Sequence, residues 1–323
     1  MFKQNYAYLC DQARKSFFCI KQKLKNIGTL PPDTMFYIFD TLLKPILTYG
    51  SDVWGISKIG RSSLDSFFLK FVKNTLSVKI STSNLMILGE SGQIPPSIHC
   101  LYSCITFLNR IHHMDECTYV KQVYNELNRL HECGFHTWCS QAWELVNKYK
   151  LTQDSDNCKF KLKAKAAIRN DFKKTWLKEI KNTMKNPITR TYALFKKNYG
   201  TESYLSKVKN QKYRQALTRL RTSSRALRIE SGRHEHIVPS LENRLCNLCR
   251  VPETEIHFLI SCPLYETQRK VLYEKIGFHD DTIRNFSPID QFVCILTMND
   301  RRHLEEIAKF VYIGFEKHKL MIL

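Results

Sequence analysis

Apolar residues along the chain recur at spacings of three and four rather than two, and that period predicts helices. Leu9, Ala13, Phe17, Ile20, Leu24 and Ile27 form one such stripe, with Gly28 where a helix of this kind stops. Pro31 and Pro32 open a second, in which Phe36, Phe39, Leu43 and Ile46 make the inner face until Pro45 and Gly50 disturb it. A third starts at Pro95 and Pro96 and turns Ile98, Leu101, Ile105 and Leu108 inward. The period returns through Leu162, Ala166, Phe172, Trp176 and Ile180, and again through Leu304, Ile307, Val311 and Phe315. Strand-type alternation is scarce, so the expected fold is predominantly all-α.

Composition supports a packed protein: 323 residues, 43% of them hydrophobic, suffice for a large core or two ordinary ones. The formal charge of +20 changes the picture more, because such a surface attracts polyanions before any specific contact forms. Nucleic acid, RNA or DNA, is the expected partner, held through its phosphates. A membrane is not, since no apolar run approaches the roughly 18 residues of a spanning helix. Nor is a small-molecule substrate expected. The short run Phe17, Phe18, Cys19, Ile20, flanked by Lys15 and Lys21, does not read as a secretory signal. Twelve cysteines lie scattered without a disulfide framework, which suggests a reducing, intracellular setting in nucleus or cytoplasm.

The charge is local. Lys159 to His234 holds 22 Lys or Arg against the four acids Asp171, Glu179, Glu202 and Glu230, an excess of 18. For Lys159, Lys161, Lys163 and Lys165, a solvated face and a binding role weigh about equally. Arg214, Arg221, Arg225 and Arg228, at spacings of seven, four and three, are expected as a row facing away from Tyr213, Leu217, Leu220 and Leu227. Guanidinium forks pair bidentately with phosphate, so Lys212, Arg214, Arg219, Arg221, Arg225, Arg228 and Arg233 are the candidate nucleic-acid contacts. Ser223-Ser224 is the place where such a row would break. Ser155-Asp156-Asn157 is the polar stretch expected to join two domains.

The strongest chemical motif is Cys246-Asn247-Leu248-Cys249, followed by His257 and Cys262, a C-x2-C-x7-H-x4-C spacing. Two cysteines two residues apart fit one tight turn, and the later His and Cys complete a tetrahedron. Four protein ligands leave no open position, so one structural Zn²⁺ is expected in a small knuckle near the C-terminus. Cys262-Pro263 reads as a helix start that continues through Leu264, Gln268, Val271, Leu272 and Ile276 to Gly277. His131, Cys133, His136 and Cys139 carry the right residue types but crowd into nine residues. With Gly134 and Trp138 among them, they read as a helix-ending turn against a core.

Several segments together resemble the C-terminal third of non-LTR, LINE-type retrotransposon reverse transcriptases. They are Leu43-Lys44-Pro45-Ile46-Leu47-Thr48-Tyr49-Gly50-Ser51-Asp52-Val53-Trp54-Gly55, then Asn84-Leu85-Met86 with Gly89-Glu90, then Leu217-Thr218-Arg219-Leu220-Arg221 with Glu230-Ser231-Gly232-Arg233. The CCHC motif with Cys262-Pro263 completes the order, and the resemblance spans residues 5 to 275. It implies thumb-like helices over 1–60, a helical connector over 61–154 and a basic nucleic-acid-binding region over 155–240. A knuckle over 241–277 and a terminal helix over 278–323 follow. It also implies a role in gripping template and target during target-primed reverse transcription, beside an upstream polymerase core if the chain is part of a longer one. The chain departs from a polymerase in lacking the Tyr-x-Asp-Asp motif; its one Asp-Asp pair is Asp280-Asp281. Ser287-Pro288-Ile289-Asp290 does not supply a nuclease constellation, so no catalysis is expected. The alternative is an independent or domesticated zinc-containing adaptor that works through protein contacts.

Overall fold

A computed structural model describes residues 3–25, 28–225, 227–278 and 286–322, so Ile27 and Asp280-Asp281 lie outside the described residues. The fold is all-α: among the described residues the only strand-like pairing is one antiparallel bridge, Leu245 with Pro252. The first ten helices are α1 (Lys3–Leu24), α2 (Pro32–Ile38), α3 (Lys44–Leu47), α4 (Ser51–Trp54), α5 (Lys58–Thr75), α6 (Asn84–Ser91), α7 (Pro96–His112), α8 (Tyr119–Glu132), α9 (Trp138–Lys148) and α10 (Asn157–Lys181). There follow α11 (Tyr192–Phe195), α12 (Tyr204–Lys207), α13 (Gln211–Arg221), α14 (Arg228–Ser231), α15 (Glu266–Lys275), α16 (Pro288–Thr297) and α17 (Arg301–Ile322).

The chain forms two compact units, not the five consecutive segments anticipated. One comprises residues 1–30, 34–71 and 94–175; the other comprises 31–33, 72–93 and 176–323. The polar stretch at Ser155-Asp156-Asn157 is no boundary. Asp156 caps α10 by accepting from the Cys158 and Lys159 amides, and the Asn109 amide donates to the Asp154 carbonyl and to Asn157.

In the first unit, Phe39 lies 5.0 Å from Phe68 and 4.9 Å from Phe71, and Tyr6 meets Trp54 edge-on at 5.1 Å. A second cluster joins Leu101, Ile105 and Leu108 of α7 to Tyr124, Cys139 and Phe160. Gly55 permits α4 to lie close on α7, because a Cβ there would stand 2.7 Å from the Cys100 Cβ. The second expected stripe needs one correction. Residues 39–43 form a π turn, whose wider turn delays the inner face by a residue, so Leu47 is buried and Ile46 is only half-buried. A second correction falls on α10. Its inner residues are Phe160, Ala164, Ile168, Trp176 and Ile180, while Leu162 and Ala166 face out. Those two sit about 200° around the helix from Phe160 and Ala164, so the true stripe repeats every four residues from Phe160.

In the second unit α13 packs along α17, whose Leu304, Ile307, Val311 and Phe315 are all buried as the pattern predicts. Trp176 donates from Nε1 to the Leu85 carbonyl at 2.8 Å, and the Tyr192 hydroxyl donates to that of Met86 at 3.2 Å. Among the described residues, no helix is long and apolar enough to cross a membrane.

Candidate metal centre and the basic residues

Residues 244–253 fold into a narrow loop. The Cys246 amide donates to the Val251 carbonyl at 2.8 Å, and the Glu253 amide donates to the Arg244 carbonyl at 2.9 Å. Arg250 adopts a left-handed φ of 56°, which turns the chain back directly after Cys249. Cys246 and Cys249 are thereby held on one turn. His257 opens a π turn over His257–Ser261, closed by the Cys262 amide donating to the His257 carbonyl at 2.8 Å. The wide turn carries Cys262 back beside His257.

The four ligand atoms of Cys246, Cys249, His257 and Cys262 all lie within 4.8 Å of one another, with three of the four residues buried. Cys249 Sγ and Cys262 Sγ are 3.7 Å apart. That is far longer than the roughly 2.05 Å of a disulfide. It matches the edge of about 3.8 Å of a tetrahedron with metal–sulfur bonds of about 2.3 Å. The His257 Nε2 is buried without a hydrogen-bond partner. A buried nitrogen of this kind costs free energy unless a donor or a metal takes its lone pair. Burial lowers the His257 pKa, with Glu253 opposing and Arg269 assisting, so the imidazole is neutral and its lone pair is free. Burial pushes the Cys262 thiol up to about 12 and raises Cys249. Thiols so placed become thiolates only beside a cation. The site therefore fits one metal ion bound by three sulfurs and one nitrogen.

The surroundings fasten this site to the helices. Arg269 of α15 is buried and donates to the Leu259 carbonyl at 2.9 Å and to the Cys262 carbonyl at 2.9 Å. Glu253 accepts from the Arg228 amide at 2.6 Å and pairs with His318 Nε2 at 2.8 Å, tying the loop to α14 and α17. Phe258 packs on Tyr265 at 4.7 Å and on Phe315 at 5.0 Å. The inner face of α15 is Arg269 and Leu272, with buried Tyr265 just before the helix and Ile276 just after it, whereas Val271, read as part of the stripe, is exposed. Sequence reasoning missed Arg269 and Glu253. A charged residue inside a polar helix or loop carries no signal of burial, although the 265, 269, 272, 276 spacing was there to be read.

Among the described residues, the Cys246 set is the one group of His, Cys, Asp or Glu whose ligand atoms converge. His131, Cys133 and His136 are exposed around the Gly134 turn that ends α8, while Cys139 is buried in α9.

The arginine row does not form as a surface. Helix α13 ends at Arg221, Ser223 takes a φ of 50°, and Ser224 Oγ is held by the Lys79 amide and Thr82. Arg214 and Arg221 lie seven residues apart on the inner face with Leu217 and Thr218, since residues three apart on a helix differ by only about 60°. Arg214 donates to the Val208 carbonyl at 2.8 Å. Arg221 donates to both Glu90 oxygens (2.7 and 3.1 Å), to Glu202 (2.7 Å) and to the Leu296 carbonyl (2.7 Å). Arg219 donates to the Ser77 carbonyl, Arg225 to that of Phe315. Arg228 pairs with Glu235 and Arg233 with Glu230. Of the seven candidates only Lys212 is exposed.

Comparison of the chain with family models, curated proteins and solved structures returns no significant match. The functional reading rests on the residues themselves.

Proposed function

We propose that the chain is a nucleic-acid-holding segment of a LINE-type reverse transcriptase, stabilised by one structural Zn²⁺ at Cys246, Cys249, His257 and Cys262. Zinc is the metal of choice for three thiolates and an imidazole in a closed tetrahedral site. When bound it supplies the positive charge that keeps the three sulfurs ionised. The chain's own residues do the holding and no chemistry.

The observation that carries the nucleic-acid reading is the density of basic residues on α10. Nine Lys or Arg stand there against Asp171 and Glu179, and most are exposed. This charge remains on the surface after the arginines of α13 are assigned to the interior. The experiment is the salt dependence of binding by the full, zinc-loaded chain to duplex DNA and to single-stranded RNA. Log affinity should fall linearly with log salt, by roughly 0.9 per phosphate on the duplex and 0.7 on the single strand. A flat dependence, or no binding at low salt, rejects the reading.

One observation favours the adaptor alternative. Tyr119, Val120 and Val123 of α8 are exposed beside Phe107, Leu127 and Trp138 along an apolar cleft of about 400 Å³. An adaptor working through this face would bind its partner with little dependence on salt.

A further inference from the structure

We propose that Lys161, Lys165 and Arg169 of α10, with Lys44 and His99 facing them, form a binding site for successive phosphates of a nucleic-acid strand. This rests on the nucleic-acid reading above and gives it a place in the first unit.

The three cations of α10 lie four residues apart, so they form one stripe beside the inner stripe of Phe160, Ala164 and Ile168. Each step is on the order of 6 Å along the helix, comparable with the step from one phosphate to the next along an extended strand. Among the described residues, none of the three has a carboxylate partner. The other flank differs: Lys159 pairs with Asp156 at 3.7 Å and Lys163 with Asp154 at 3.1 Å.

Such a stripe works against the helix that carries it. Like charges four apart destabilise an isolated helix. On this flank, among the described residues, the repulsion is not offset by acids, as it is for Lys159 and Lys163 on the other. Lys165 and Arg169 are also half-buried, and Arg169 Nε is buried with no hydrogen-bond partner. A buried guanidinium donor without an acceptor is costly; a phosphate oxygen would satisfy it.

Lys161 lines one cleft together with His99 of α7. The His99 Nδ1 lies 2.5 Å from the Tyr102 hydroxyl. Burial, followed in order by Lys44, Lys161, Lys165 and Arg169, lowers its pKa to about 4. The imidazole thus registers a positive potential from two elements, α3 and α10. Lys44 alone has an acidic partner, Asp40 at 3.2 Å. The cleft beside His99 is about 360 Å³, lined by Thr48, Ser103, Arg110, Asn157 and Lys161, with Asp52 as its one acid. The hydroxyls and the amide suit phosphodiester oxygens and sugar.

The test compares two variants of the full, zinc-loaded chain with equal net charge: Lys161→Gln with Lys165→Gln, and Lys159→Gln with Lys163→Gln. Binding of a short single-stranded RNA is measured against salt, and the His99 imidazole is titrated by NMR with and without RNA. The 161/165 variant should bind roughly 20-fold more weakly at about 0.1 M salt, with the log–log slope reduced by about 1.4, the share of two phosphates. The 159/163 variant should retain most of its affinity. RNA should raise the wild-type His99 pKa, because bound phosphate cancels the cations that depress it. Equal losses in the two variants, or RNA binding that leaves the His99 titration unmoved, overturns this site and leaves the nucleic-acid reading standing. Inorganic tripolyphosphate that moves His99 where RNA neither binds nor moves it overturns the strand as occupant and the nucleic-acid reading together.

Discussion

Arg221 is buried with its guanidinium shared between Glu90, itself wholly buried, and Glu202, and it lies over the rings of Phe195 (4.6 Å) and Tyr204 (5.2 Å). Burial pushes the Glu90 carboxyl up, and Arg221 with Lys196 outweighs it, so Glu90 stays ionised. Removing one partner of such a pair leaves an uncompensated charge inside. Arg221→Ala is therefore expected to destabilise the second unit by about 3–5 kcal/mol, read by urea denaturation, and to leave the salt slope of RNA binding unchanged in the fraction that stays folded. A stable variant with a lower slope would return Arg221 to the phosphate-contacting set. His99 supplies the matching prediction for pH. Its folded pKa is depressed to about 4, below its ordinary value near 6.5, so the unfolded state binds the extra proton between those values. Stability from this group is complete above about pH 6.5 and is lost as pH falls toward 4. His99→Gln should flatten that part of the stability–pH curve.

At the scale of the element, the close seat of α4 on α7 depends on Gly55, the last residue of the Leu43–Gly55 segment. Gly55→Ala should cost about 1–3 kcal/mol, seen in thermal unfolding, because the Cys100 backbone and Cβ leave no room for a methyl group. Helical periodicity made most of these elements readable. The stripe of α17 and the proline start of α7 follow directly from their spacing. Where the reading slipped, a local cause can be named. The π turn at 39–43 moves the inner face to Leu47, and π turns leave no mark in a pattern read at 3.6 residues per turn. In α10 the apolar Leu162 is exposed while Phe160 is buried, and a helix so rich in lysine offers too few apolar residues to choose between the two registers. The α13 arginines were misplaced for another reason: Arg is read as a surface residue, and its partners Glu90 and Glu202 lie 131 and 19 residues away in sequence.

For the whole molecule, the convergent cluster of Cys246, Cys249, His257 and Cys262 was legible because its signal is spacing between rare residues, and spacing survives whatever surrounds it. Its supports were not, since Arg269, Glu253 and His318 meet it only through the tertiary fold. Nor was the division into two units, which takes residues 72–93 into the second unit beside 176–323. Because Cys262 is tied to α15 through Arg269, loss of the metal should spread. Chelation, or Cys249→Ser, is expected to speed amide hydrogen exchange across 246–276 while α8 and α9 keep their protection. Uniform protection after chelation would separate the site from the fold.

The most direct measurement is the optical spectrum and stoichiometry of Co²⁺ substituted into the full chain. One Co²⁺ per chain, with the intense ligand-field bands of a tetrahedral ion and thiolate charge transfer, is the expected result, abolished in Cys249→Ser. The weak bands of a six-coordinate ion, or one-to-one tetrahedral binding that survives Cys249→Ser, would contradict the assignment of Cys246, Cys249, His257 and Cys262 as a closed structural metal centre.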